Sequence, residues 1–279
     1  MQMPIGFMQG RLSPLVNGKI QAFPWNSWEE EFKIASENNF KIMEWTLDQE
    51  RLYENPLMCK NGQKKIKNLS EQYELSIPSI TGDCFMQAPF FKCEGESRKS
   101  LLNDLQNIIS SCALLGINII VFPLVDEGSI ENFEQEKILL KNMTRLENDL
   151  SQREIFIVFE SDYTPVKLKK FIDQLSPKSF GINYDIGNSA SMGFDPIEEI
   201  ETYGQRILNV HIKDRLLNGT TVPLGSGSAN IPKVFHLLKS IEYKGNYILQ
   251  TARAKDNDHA DTLSHYREKA NRWLLDRKP

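Results

Sequence analysis

Hydrophobic and polar positions along this chain repeat one pattern. A short β-branched or aromatic run ends in polar residues, and a longer stretch with apolar residues at three- and four-residue spacing follows. The short runs predict strands at residues 5–9, 42–45, 77–80, 117–122, 155–160, 181–185, 207–212 and 247–251. Between them lie amphipathic helices, the longest over 98–115 and 133–150. Asn26 or Ser27 is expected to cap the first helix, with Glu29, Glu30 and Glu31 in its opening turn. Thr164-Pro165 reads as an N-cap with proline at the first helical position, and Ile231-Pro232 looks similar. Eight nearly continuous apolar strands alternating with helices predict a parallel sheet covered by helices. Eight units close a barrel, and no Gly-x-Gly-x-x-Gly follows the first strand, so a dinucleotide-binding sheet is disfavoured. The expected fold is α/β, one (β/α)8 TIM barrel over residues 1–279.

Composition narrows the partners. Apolar residues are 40% and charged residues 25%, ordinary globular usage, which excludes disorder and fibrous repeats. Thirty-three Lys and Arg against thirty-seven Asp and Glu give a net charge of −4, against a broad nucleic-acid-binding face. The longest apolar run, 117–125, is far short of the roughly 20 residues a membrane helix needs. The N-terminal residues show no secretory pattern. Cys59, Cys84, Cys93 and Cys112 have no metal or redox spacing and read as reduced thiols of a cytoplasmic protein.

In such a barrel the chemistry sits at the carboxyl ends of the strands. There the fifth strand carries Glu160, the sixth Asp185, the seventh His211 and the eighth Gln250. Two carboxylates, an imidazole and an amide oxygen on adjacent strands suit a divalent cation such as Mn, Mg, Co or Zn. Lys213 follows His211 by two, so alternation aims both to the same side of the strand, where Lys213 can partner an enolate or pair with Asp185. Arg11, Glu44, Asp83, Asn188 and Arg253 are expected at the substrate, with Glu44 and Asp83 equally suited to bracing the rim. The Gly225-Ser226-Gly227-Ser228 loop is expected either to cradle an anion with backbone N–H groups or to be a simple turn.

These residues carry a family resemblance over nearly the whole chain. Ser27-Trp28-Glu29-Glu30-Glu31, Glu44, Glu160, Asp185-Ile186-Gly187-Asn188, His211-Ile212-Lys213-Asp214 and Pro223-Leu224-Gly225-Ser226-Gly227 resemble the xylose-isomerase-like barrels. Within them the chain resembles the sugar-phosphate isomerase/epimerase group that includes L-ribulose-5-phosphate and L-xylulose-5-phosphate 3-epimerases. The resemblance implies metal binding by Glu160, Asp185 and His211 together with a second Glu on the eighth strand. Here that position is Gln250, which can coordinate through its carbonyl oxygen but cannot take a proton. The 3-epimerases use two carboxylates on opposite faces of the substrate carbon. With Glu160 left as metal ligand and single base, isomerisation or β-elimination is expected ahead of simple epimerisation. The implied substrate is a keto-sugar or sugar phosphate, and a homodimer through rim helices is compatible, with Trp273 a faint pointer to it. A type-IV apurinic endonuclease shares the barrel but needs further His ligands, and Asn188 stands where it carries one. A non-catalytic sugar-binding barrel, marked by Gln250, is the remaining alternative.

Overall fold

The computed structural model describes residues 5–275, and the eight strands close into one barrel in chain order, every neighbouring pair parallel. They are β1 (Ile5–Met8), β2 (Ile42–Thr46), β3 (Ser76–Thr81), β4 (Ile119–Leu124), β5 (Phe156–Ser161), β6 (Phe180–Asp185), β7 (Ile207–Ile212) and β8 (Asn246–Leu249). The helices are α1 (Glu30–Glu37), α2 (Lys60–Tyr73), α3 (Asp83–Gln87), α4 (Gly95–Leu115), α5 (Phe133–Gln152), α6 (Pro165–Ile172), α7 (Ile186–Ser191), α8 (Pro196–Tyr203), α9 (Ile231–Ser240) and α10 (His259–Leu275). The predicted (β/α)8 barrel is the observed one. No helix among the described residues is long and apolar enough to cross a membrane.

Alternation along each strand divides two environments. Phe122 and Phe159 pack outward, Phe159 edge-on against Phe171 of α6 at 5.2 Å between ring centres. Strand positions of the other parity face the barrel axis, and in the upper half of this barrel they include polar residues: Glu44, Ser79, Asn183, Asn209 and His211, all buried. Burying so many polar groups costs free energy unless each finds a partner, so this layer must be a connected network. Lateral register then brings Asp185 beside His211 and Glu160 beside Pro123.

Two local expectations change. Neither Asn26 nor Ser27 caps α1, whose N-cap position is Glu29 without a side-chain cap bond. The Ser27 hydroxyl donates instead to Ser13 Oγ. Glu31 turns inward, and its carboxylate accepts from the N–H groups of Gly10 at 2.9 Å and Leu12 at 3.0 Å. Burial pushes its pKa up to about 7 despite those bonds. The opening turn of α1 is thus spent on holding the loop after β1. Trp273 lies half-buried against the core with Lys269 Nζ 5.3 Å from its ring, not as a free surface aromatic. Pro165 does stand at the first turn of α6, although Thr164 makes no side-chain bond there.

Candidate active site

The carboxyl ends of β5, β6 and β7 bring Glu160, Asp185 and His211 together. One ligand atom from each lies within 4.8 Å of the others, the one such cluster among the described residues. His211 is fully buried and its ring orientation is determined at both nitrogens. Nε2 lies 2.7 Å from Glu44 Oε1. Nδ1 faces Asn183 Nδ2 at 3.1 Å, Glu160 Oε2 at 3.3 Å and Asp185 Oδ2 at 4.0 Å. An imidazole whose far nitrogen is held by a carboxylate, with its near nitrogen among further carboxylates, has the arrangement that orients a metal-ligating histidine.

Glu44 is therefore not where a substrate contact was expected. It sits below His211 with no exposed surface, accepting from Ser79 Oγ at 2.8 Å and Asn209 Nδ2 at 2.9 Å. Its oxygens are fully taken up inside the barrel.

Glu160 is held from two sides. Oε2 accepts from Asn183 Nδ2 at 2.7 Å and Oε1 from Asn188 Nδ2 at 2.5 Å. Burial works to raise its pKa, but His211, Lys213 and Asn183 outweigh that and bring it below the ordinary carboxylate value. Asp185 Oδ1 accepts from the Asn188 N–H at 2.9 Å, starting α7. Its buried Oδ2 is paired with Lys213 Nζ at 2.7 Å. Burial pushes the Asp185 carboxyl up. For His211, burial acts downward, and the charges of Glu44 and Glu160 override it, moving the imidazole up to about 10. A cation would displace that proton. An imidazole nitrogen turned toward two carboxylates, all within 4.8 Å of one another, fits a divalent ion.

Lys213 and Gln250 meet at the fourth side. Lys213 Nζ donates to Gln250 Oε1 at 2.9 Å, so the amide oxygen expected as a fourth ligand faces an ammonium group. Gln250 Nε2 donates to Gln21 Oε1 at 2.9 Å, a donation no carboxylate makes. Gln21 Nε2 in turn donates to Asp83 Oδ2 at 2.6 Å. The stem of Lys213 crosses Gly187, where an added Cβ would come within 2.7 Å of Lys213 Cγ.

These groups open onto a mouth cavity of about 460 Å³, whose walls include Gln21, Asp83, Glu160, Lys213, Arg215 and Gln250. Asn188 lines it as expected and also receives Arg215 Nη1 at 2.8 Å. Asp83 is 6% exposed, and burial, then the charges of Asp48 and Glu160, push it up to about 7. Arg11 is buried behind the wall, donating to Thr251 O, Ile20 O and Gln21 Oε1. Burial and Arg253 bring its guanidinium down to about 9.

The Gly225 and Ser226 loop is not a cradle for a substrate anion. Its N–H groups already hold one, the fully buried Asp214: Gly225 N and Gly227 N donate to Oδ2 at 2.8 and 2.9 Å, and Ala229 N to Oδ1 at 3.1 Å. A Cβ at residue 227 would collide with that carboxylate. Arg253 is likewise spent on structure, donating to the carbonyls of Gly10 and Ser13.

Gln21 and Asn183 were not foreseen. Two-residue alternation back from Asp185 reaches Asn183 and back from His211 reaches Asn209, so those signals existed. Gln21 comes from the irregular segment after β1, where no periodicity places a side chain.

Comparison with known proteins agrees with this fold. The family described as Xylose isomerase-like TIM barrel matches residues 32–274. The Escherichia coli protein named "Putative L-ribulose-5-phosphate 3-epimerase SgbU" is 23% identical over 249 residues, 82% of this chain and 86% of that protein. An inosose dehydratase of Clostridium tetani is 24% identical over 179 residues, 56% of this chain and 59% of that one. The crystal structure of 3-keto-D-glucoside 4-epimerase YcjR from E. coli superposes with a TM-score of 0.70 at 18% identity, covering 96% and 100% of the two chains.

Proposed function

This chain belongs to the xylose isomerase-like TIM-barrel family, and we propose that it is a divalent-metal-dependent isomerase or epimerase acting on a keto-sugar through an enediolate. One observation carries the reading: Glu160, Asp185 and His211 Nδ1 converge at the mouth while Glu44 holds the other nitrogen of His211. Glu160, Asp185 and His211 would hold the cation, which when bound supplies electrophilic stabilisation of a substrate oxyanion. Glu160 is the base. Asn183 and Asn188 restrict its carboxylate to one orientation, and its lowered pKa keeps it in the proton-accepting form at neutral pH. Lys213, fixed between Asp185 and Gln250, adds a positive charge that favours the enediolate over the neutral ketone. The occupied Gly225 loop favours an unphosphorylated keto-sugar over a sugar phosphate.

β-Elimination is the second reading. It needs a base on one face only, and it is favoured by Gln250 and by the similarity to an inosose dehydratase.

The test is solvent exchange. Protein loaded with Mn²⁺ is incubated in ²H₂O with D-fructose, D-tagatose and L-ribulose 5-phosphate. Deuterium is expected beside the carbonyl of at least one of them, read by proton NMR, with the free sugars ahead of the phosphate. Absence of exchange in all three by protein holding one Mn²⁺ per chain contradicts the proposal.

A further inference from the structure

Inverting a carbon by proton transfer needs a proton acceptor on one face and a donor on the other. Glu160 supplies one, and Gln250 supplies none. The titratable groups in the cavity wall besides Glu160 are Asp83, Asp126, Lys213 and Arg215. Arg215 does not deprotonate, and its donors serve Gly219 O and Asn188 Oδ1. Lys213 is engaged by Asp185 and Gln250. Asp126 is exposed on the rim. Asp83 differs from all of these. It is buried, it faces the cavity, and it is held by Gln21 Nε2 on one oxygen and Thr81 Oγ1, at 3.2 Å, on the other.

Its position is defined by the same network. Through Gln21, Asp83 stands two hydrogen bonds from Gln250, whereas Glu160 is tied to Asn183 and Asn188 of β6 and α7. Asp83 opens α3 after β3 and Glu160 ends β5, so the two carboxyl groups reach the same cavity from separate strand ends.

We propose that Asp83 is the second catalytic acid–base group of this site, delivering a proton to the face of the reacting carbon opposite Glu160. This rests on the keto-sugar proton-transfer reading above. Glu160 takes the proton beside the carbonyl, and the C–H electron pair moves into the new C=C bond as the carbonyl oxygen becomes an oxyanion. Protonated Asp83 then gives its proton to the same carbon from the other side. The electron pair forms the new C–H bond, and the carbonyl is restored. Glu160 ends protonated and Asp83 ionised, and exchange with water resets both. Burial supports the role by keeping a protonated fraction near neutrality. Gln21 is then a positioning residue, orienting the carboxyl that the chain uses in place of a strand-eight acid.

The experiment compares wild type, Asp83→Asn and Asp83→Glu, all Mn²⁺-loaded, in ²H₂O with D-tagatose and L-ribulose 5-phosphate. It reads deuterium wash-in to recovered sugar separately from epimer formed, and checks folding by thermal melting. Asp83→Asn is expected to form epimer at least about 100-fold more slowly while wash-in stays within a few-fold of wild type. Asp83→Glu is expected to recover part of the epimer. Epimer at the wild-type rate in Asp83→Asn, equal loss of wash-in and epimer, or wild-type wash-in without any epimer overturns the assignment. Wild type without wash-in removes the proton-transfer reading itself, and this inference with it.

Discussion

Replacing Glu160 by Gln is expected to slow proton exchange at the sugar by about 10²- to 10⁴-fold at saturating Mn²⁺. The amide keeps the size of the side chain and one acceptor oxygen for Asn183 or Asn188, so the barrel persists. What disappears is the lone pair that takes the proton, together with one negative charge facing the cation. The loss is expected in kcat, because the base acts in the transition state, and the change in KM is expected to be small. Single-turnover exchange measured at several Mn²⁺ concentrations separates the two contributions. Full exchange in Glu160→Gln with bound metal would reassign the base.

Removing Glu44 is expected to be the most destabilising change at the site. Its carboxylate accepts from His211, Ser79 and Asn209, all fully buried, and alanine leaves three polar groups without a partner. Breaking a buried charged contact of this kind costs about 3–5 kcal/mol. Loss of the group that orients His211 is expected to weaken Mn²⁺ binding by about 10- to 100-fold. A pH signature accompanies it. The folded-state pKa of His211, about 10, lies above the ordinary imidazole value of about 6.5, so its stabilisation is complete below about pH 6.5 and is lost as pH rises through about 10. In chelator, the melting temperature of the wild type is expected to fall across that window, and the fall is expected to shrink in Glu44→Ala. Titration calorimetry and melting curves from pH 6 to 10 check both. A Glu44→Ala protein as stable as wild type and with unchanged Mn²⁺ affinity would show that the carboxylate does not organise the site.

The barrel was legible because two periods, alternation in strands and the three- and four-residue spacing of helices, recur eight times, and each observed strand overlaps a predicted one. Glu160, Asp185, His211 and Lys213 were legible for the same reason, since strand ends in a closed barrel face one mouth. Depth was harder to read. Glu44 stands one layer down, and only the three-dimensional register across to Asn209 and His211 reveals that its oxygens are already taken. The Gly225 loop has the composition of an anion cradle and is one. Its anion is Asp214, eleven residues earlier, and nothing in the spacing distinguishes a bound carboxylate from a bound phosphate. Arg253 was misplaced because it reaches from one β/α unit to the loop after β1, whose path has no period. Gln250 was read as a missing Glu. Its amide N–H on Gln21 shows a residue matched to its surroundings, and the acid it lacks stands at Asp83.

The most direct measurement is a crystal structure of the Mn²⁺-soaked protein with anomalous scattering at the manganese edge. The expected result is one ion at the mouth, bound by Glu160, Asp185 and Nδ1 of His211, with Nε2 still on Glu44 and Lys213 still donating to Gln250. No anomalous peak at those residues, or a peak held by other side chains, would contradict the account.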